Sequence, residues 1–174
     1  YFFIINKPKP EVLPPVNTPP KTEEIDTSAW QTYRNETLGF EIKMPKEWVR
    51  RFEFIGPQPN LESEFWRDMV GEVGFISSYE ESYPQFNVRI KDSDLGMDAF
   101  GFSDGDLIIN GFQARHRVND YRNYSPETRS YNEFLLLKNK QRYFDFYFSA
   151  SINNVDQDIK VWNEILKTFK PTSQ

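Results

Sequence analysis

Two short runs near the end of the chain, Phe134-Leu135-Leu136-Leu137 and Tyr143 to Phe148, are apolar or nearly so in both phases of a two-residue alternation. A strand of that kind has no face to give to water, so both runs belong at the centre of a sheet covered on both sides. The stretch between them, Lys138-Asn139-Lys140-Gln141, is polar and of hairpin length, which points to an antiparallel meander. Other segments alternate with one wet face: Leu38 to Met44, Phe52 and Phe54, Phe86 to Ile90, and Phe112 to Val118. Pro45 stops the first of these, and Pro45 to Trp48 reads as a short turn with Trp48 tucked inward.

Cover for such a sheet comes from the end of the chain. Val155, Ile159, Trp162, Leu166 and Phe169 follow the spacing of a single helical stripe, widened by Val161 and Ile165. Asn154 is the expected N-cap, with Gln157 in capping-box position. Asp156 and Asp158 lie at the start and Lys167 and Lys170 at the end, as the helix dipole prefers, and Pro171 closes the helix. The other face needs a second cover, for which Leu61 to Val70, with Phe65, Trp66 and Met69, is the weaker helical candidate.

The first thirty residues are of another kind. Six of the twelve prolines fall within the first twenty positions, and no glycine occurs before Gly39. Proline fixes φ and removes an amide donor, so residues 6–29 read as an extended, polyproline-like linker. Before it stands Tyr1-Phe2-Phe3-Ile4-Ile5, expected to be the trailing end of a transmembrane helix whose remainder lies upstream. The expected organisation is therefore an anchor end at 1–5, a linker at 6–29 and a globular domain at 30–172.

From residue 30 onward, the order of motifs resembles bacterial PsbP-like domains. The opening Trp30-x-x-Tyr33-x-Asn35-x-x-x-Gly39-Phe40-x-Ile42-x-x-Pro45-x-x-Trp48 is similar to that family's aromatic strand and Gly-Phe-x-Ile-x-x-Pro-x-x-Trp. Ile109-Asn110-Gly111-Phe112-Gln113-Ala114 is similar to its hairpin, and Trp162 to Lys170 is similar to its closing helix. The resemblance covers about residues 30 to 170. It implies an α+β fold, an α/β/α sandwich around a mainly antiparallel sheet with a C-terminal amphipathic helix. That fold is shared with the photosystem II extrinsic subunit and a Ran-binding nuclear import factor. It implies no enzyme, and it points to a domain outside the cytoplasm, tethered to a bacterial membrane.

Composition narrows the function classes. With no Cys and one His, thiol chemistry, iron–sulfur clusters and multi-histidine metal sites are excluded. The chain carries a net charge of −5, and from residue 30 onward it holds 18 basic and 22 acidic residues, so no nucleic-acid partner is expected. Gly101-Phe102-Ser103-Asp104-Gly105 matches a nucleophile elbow literally. The elbow needs a strand before it and a helix after it, whereas here loop-like residues precede and strand-like ones follow, so a Gly-rich turn is expected. Asp92, Asp94, Asp98, Asp104 and Asp106 supply oxygen ligands for calcium without the EF-hand spacing. His116 shares its phase with Phe112, Ala114 and Val118 and should be half-buried and hydrogen-bonded. On the opposite face Arg115 and Arg117, with Arg89, read as a wet sheet face, the alternative being a small basic stripe for a partner carboxylate. Tyr121, Tyr124 and Tyr131 with Arg122 and Arg129 mark an aromatic connection.

Asn35-Glu36-Thr37 and Asn123-Tyr124-Ser125 match glycosylation acceptors by chance. The expectation is a non-catalytic domain acting through an unidentified protein or envelope partner, with no cofactor. The alternative is a small-ligand or divalent-cation module using the acidic segment 92–106.

Overall fold

The computed structural model describes residues 25–56, 68–77, 84–93, 103–123, 130–140, 142–151 and 153–172, with 103–106 by their backbone. The order of elements is β1 (Gln31–Asn35), β2 (Phe40–Met44), β3 (Val49–Ile55), β4 (Met69–Ile76), β5 (Gln85–Lys91), β6 (Ser103–Ile109), β7 (Phe112–Asp120), β8 (Tyr131–Asn139), β9 (Arg142–Ser149), α1 (Val155–Thr168) and β10 (Lys170–Pro171). Seven strands form one antiparallel sheet in the order β3-β4-β5-β9-β8-β7-β6. The two doubly apolar runs are β8 and β9, and β9 is the middle strand. Both strands run on through the Asn139–Arg142 pair, so the polar connection is shorter than expected, with Lys140 at φ 54°.

One face of this sheet carries the core. Val88, Phe146 and Leu135 stand side by side across β5, β9 and β8, flanked by the rows of Phe86 with Phe148 and of Ile90, Phe144 and Leu137. The stripe of α1 lies on this face. Trp162 stacks on Phe148 with ring centroids 5.0 Å apart and meets Phe86 at 5.4 Å. A second, three-stranded sheet of β1, β2 and β10 covers the rest of the same face. There Phe40 reaches Phe144 and Phe169, and Tyr33 meets Phe75 edge-on at 5.0 Å. Aromatic pairs in such tilted and edge-on geometries add to what their buried area contributes.

The fold is thus α+β, an antiparallel sheet core with a C-terminal helix. Among the described residues α1 is the only helix, and it cannot cross a membrane, being neither long nor apolar enough. The helical reading of Leu61 to Val70 is corrected at its end: Met69 and Val70 open β4, where Met69 pairs with Lys91. Residues 61–67 lie outside the described ones, as do the anchor segment 1–5 and the linker up to residue 24. What makes β4 a strand is space. A Cβ on Gly71 would stand 2.6 Å from the Phe54 carbonyl oxygen, and one on Gly74 would strike the Phe52 ring, so these glycines let β3 close onto β4.

The start of α1 also differs from expectation. Asn154 makes no side-chain capping bond, so the capping box with Gln157 does not form. Asp158 ties the entry instead, its carboxylate accepting the Ser151 amide at 2.8 Å and the Ser151 hydroxyl. At the other end the helix is capped from a distance. Asn110 and Gly111 have φ of 50° and 84°, the left-handed pair of a two-residue hairpin turn between β6 and β7. From that turn the Asn110 amide donates toward the carbonyls of Leu166, Lys167 and Phe169 at 2.8–3.1 Å, at the end where a helix leaves carbonyls short of partners; the Leu166 oxygen also accepts the Phe169 amide.

Replacing Asn110 therefore separates two roles. Asn110→Gly keeps the backbone geometry and loses the cap, and should cost about 1–2 kcal/mol in a urea-unfolding measurement. Asn110→Ala should cost more, because it also strains the turn.

Candidate functional site

Opposite the core, the sheet carries charge. The register sets Glu72 of β4, Arg89 of β5 and Asp145 of β9 in one row across three adjacent strands. Arg89 Nε donates to Glu72 Oε1 at 2.9 Å and its terminal nitrogen reaches Asp145 Oδ2 at 3.3 Å. Asn87, two positions before Arg89, donates to the same Glu72 oxygen at 3.1 Å. Glu72 is 5% exposed, Asp145 3%, and Lys91, two positions beyond Arg89, is fully buried. Burial pushes the Asp145 carboxyl above the ordinary aspartate value of 3.8, and the Arg89 guanidinium only partly offsets this.

Arg89 thus faces two carboxylates. The alternative of a basic stripe of Arg89, Arg115 and Arg117 does not hold as drawn. Arg89 lies between two carboxylates, Asp145 and Leu136 separate it from Arg115, and Arg117 Nε donates to Asn119 at 3.1 Å. Because side chains alternate between faces, a one-residue slip of β5 would carry Arg89 into the apolar core. The row therefore holds the register of the three strands as much as it stabilises them.

A second cluster lies at the margin of the core face. His116 on β7 brings Nε2 to 3.0 Å from Oε1 of Glu133 on β8. Tyr131 donates its hydroxyl to the other Glu133 oxygen at 3.3 Å. Burial, and then the adjacent Glu133 charge, hold the Tyr131 proton more tightly than in an ordinary tyrosine. The Arg122 guanidinium lies 5.7 Å over the Tyr131 ring and also binds Asp120 and Asp156, joining the end of β7 to the start of α1. His116 is therefore half-buried and partnered, as its phase predicts. A ring held by a buried carboxylate can keep one orientation toward solvent.

A third network surrounds Glu53. Its carboxylate accepts from Tyr33 at 3.1 Å and Asn35 at 2.8 Å, and it pairs with Arg50. Asn35 also accepts the Leu38 amide at 2.9 Å, so its side chain is engaged in the turn between β1 and β2. The Tyr33 hydroxyl, chiefly through burial, is pushed up to about 12.

The remaining candidates are dispersed. Ser103, Asp104 and Gly105 lie in the extended strand β6, so the expected Gly-rich turn is corrected over those positions; 101 and 102 lie outside the described residues. Of the acidic set, Asp92 is exposed and stands 3.5 Å from Arg142 Nε. Asp104 and Asp106 are on β6, while Asp94 and Asp98 lie outside the described residues. Among the described residues no three His, Asp or Glu side chains gather as metal ligands. Tyr131 is buried and Tyr121 exposed; Tyr124 and Arg129 lie outside the described residues.

Glu72, Glu133 and Asp145 were not singled out from sequence, though a signal existed. Glu133 shares its phase with Leu135 and Leu137, and Asp145 sits in the middle of an aromatic strand. A carboxylate in such a position needs a partner from another element.

No family model matches the chain, and no curated protein matches it in sequence. A crystal structure of a protein from Bacteroides thetaiotaomicron VPI-5482 superposes with a TM-score of 0.53 at 11% identity, covering 84% of this chain and 50% of that one. This chain thus spans about half the length of that protein. The solution structure of cyanobacterial PsbP (CyanoP) from Synechocystis sp. PCC 6803 aligns at 15% identity over 87% of this chain and 97% of its own. Its TM-score of 0.44 is too loose an overlay to build on. At these identities the likeness is one of fold.

Removing Arg89 should leave two buried carboxylates, on the strands either side of β5, without their shared cation. Arg89→Met is expected to lose about 3–5 kcal/mol at neutral pH, read by chemical denaturation. Asp145 has its own pH signature. A carboxyl raised in the folded state gives its full support to folding below the unfolded value and loses it as pH climbs through the folded value. The stability of Asp145→Asn relative to wild type should therefore improve steadily from about pH 4 upward and stay flat below it.

Proposed function

We propose that the chain is a PsbP-like, non-catalytic domain held outside the cytoplasm on a bacterial membrane, working through contact with another protein or an envelope component. The reading rests on where its three separated motifs meet. Asn110 of the hairpin motif binds the carbonyls of Leu166, Lys167 and Phe169 in the closing motif. Thr168 of the closing motif accepts the Lys43 amide at 2.8 Å and returns a bond to the Lys43 carbonyl, in the opening motif. Phe40 and Phe169 complete the junction with centroids 5.9 Å apart. Residues that resemble a family signature here serve one structural junction, which is the pattern of a scaffold.

The buried and half-buried charges support the same reading. The half-buried Glu53 and the buried Glu72, Asp145 and Glu133 each bind neighbouring side chains of the domain, an arrangement suited to holding shape. The anchor and linker enter from sequence: an apolar end at 1–5, then a proline-rich spacer that sets the domain off from the bilayer.

Fractionation of cells expressing the complete gene product is the test. The protein is expected in the membrane pellet, resistant to carbonate wash, with its domain digested by protease added outside the cytoplasmic membrane. Recovery in the cytoplasmic supernatant would sink the tethered reading.

A further inference from the structure

The two edges of the seven-stranded sheet are guarded unequally. Edge strand β3 carries Arg50, Arg51 and Glu53, the charged residues by which edges ordinarily discourage pairing. Edge strand β6 ends in Leu107-Ile108-Ile109, apolar in both phases. Such a run suits a strand with neighbours on both sides. Ile108 is 68% exposed and Leu107 36%.

The hairpin settles which backbone groups of β6 face outward. In a two-residue hairpin, the pair flanking the turn exchanges hydrogen bonds, and the pairs then alternate. Ile109 faces Phe112 and Leu107 faces Ala114, so both bond inward to β7. Ile108, opposite Gln113, directs its N–H and C=O away from the sheet. Among the described residues no strand pairs with that edge. The Asn110 bonds to the end of α1 hold this stretch in place, so little order remains to be gained on docking.

We propose that β6 pairs antiparallel with β6 of a second copy of this chain, about a two-fold axis at Ile108. In that register Ile108 exchanges both outward hydrogen bonds with Ile108 of the second copy. Leu107 stands opposite Ile109 of the second copy, twice by symmetry. The pairing thus places apolar residues against apolar residues on both faces of a continuous sheet twice as wide. Position 106 falls opposite Asn110 of the second copy, so the acidic residues of β6 do not oppose one another. The irregular pairing between Ser103 and Leu107 confines the contact to about residues 106–110, which makes it short and reversible. What favours a second copy is the match of Leu107 with Ile109 about Ile108, not charge. The whole chain carries −5, so salt should strengthen the association.

Sedimentation equilibrium of the chain over a wide concentration range, at low and high salt, tests this. The expected result is a reversible rise in average mass from 20.7 kDa toward twice that value, steeper at high salt. Ile108→Pro, which removes the outward N–H, and Ile108→Lys, which puts like charges at the axis, should both remain monomeric. Their far-UV dichroism should match wild type. Amide exchange of the wild-type chain provides a reading independent of any variant: the Ile108 amide should slow as concentration rises. A wild-type chain that stays monomeric throughout overturns the proposal. So does a dimer that both variants retain, or one that forms without protecting the Ile108 amide. A monomer whose Ile108 amide is protected only by an added alternating Lys-Val peptide also overturns it, and assigns the edge to a foreign basic strand.

Discussion

The alternation of one strand governs this domain. β9 lies in the middle of the sheet, with three strands on either side, and places Phe144, Phe146 and Phe148 on one face and Asp145 on the other. The three phenylalanines receive Trp162 of the helix, Phe169 at its C-cap and Phe40 of the smaller sheet. Asp145 receives Arg89 and, through it, Glu72. Apolar burial is strong and indifferent to direction, so by itself it tolerates a shifted partner. The charge row behind it does not, because a one-residue slip carries an ion to the apolar side and a longer one parts the ions from their partners. Cohesion and register thus come from opposite faces of the same eight residues.

That division explains what could be read from sequence. Strands with regular alternation were legible, and so were the central place of β8 and β9 and the terminal helix, because each carries its own periodicity; the hairpin at Asn110-Gly111 was legible only through the family resemblance. β4 was not. Its sequence, Met-Val-Gly-Glu-Val-Gly-Phe-Ile, breaks alternation with two glycines whose purpose lies in the rings and backbone of other elements. The helix cap was misassigned for the same reason. Asn154 has the right local pattern, while the groups that hold the helix ends, Asp158 with Ser151 and Asn110 with the last carbonyls, are chosen by tertiary placement.

The candidate site was the least legible part. Of the motifs conspicuous in the sequence, Ser103, Asp104 and Asp106 lie along an edge strand and Asp92 in an exposed bend. The groups that matter energetically are three carboxylates hidden in apolar company. Glu72, Glu133 and Asp145 each depend on a residue 17 to 56 positions away, a dependence that local spacing does not display. His116 alone was placed correctly, since its phase set its burial even though its carboxylate partner belonged to the next strand.

The small sheet has a mechanical meaning. β1 and β10 flank β2, so the first and last strands of the domain are laid on the same short strand. A load arriving along the N-terminal segment would peel β1 from β2 beginning at Gln31, which pairs with Met44. At that residue the side-chain amide of Gln31 reaches past the sheet to the carbonyls of Pro45 and Trp48. The point of first tension is therefore bolted to the turn that buries Trp48. Pull on this domain is met by a clasp of hydrogen bonds before it reaches the aromatic core.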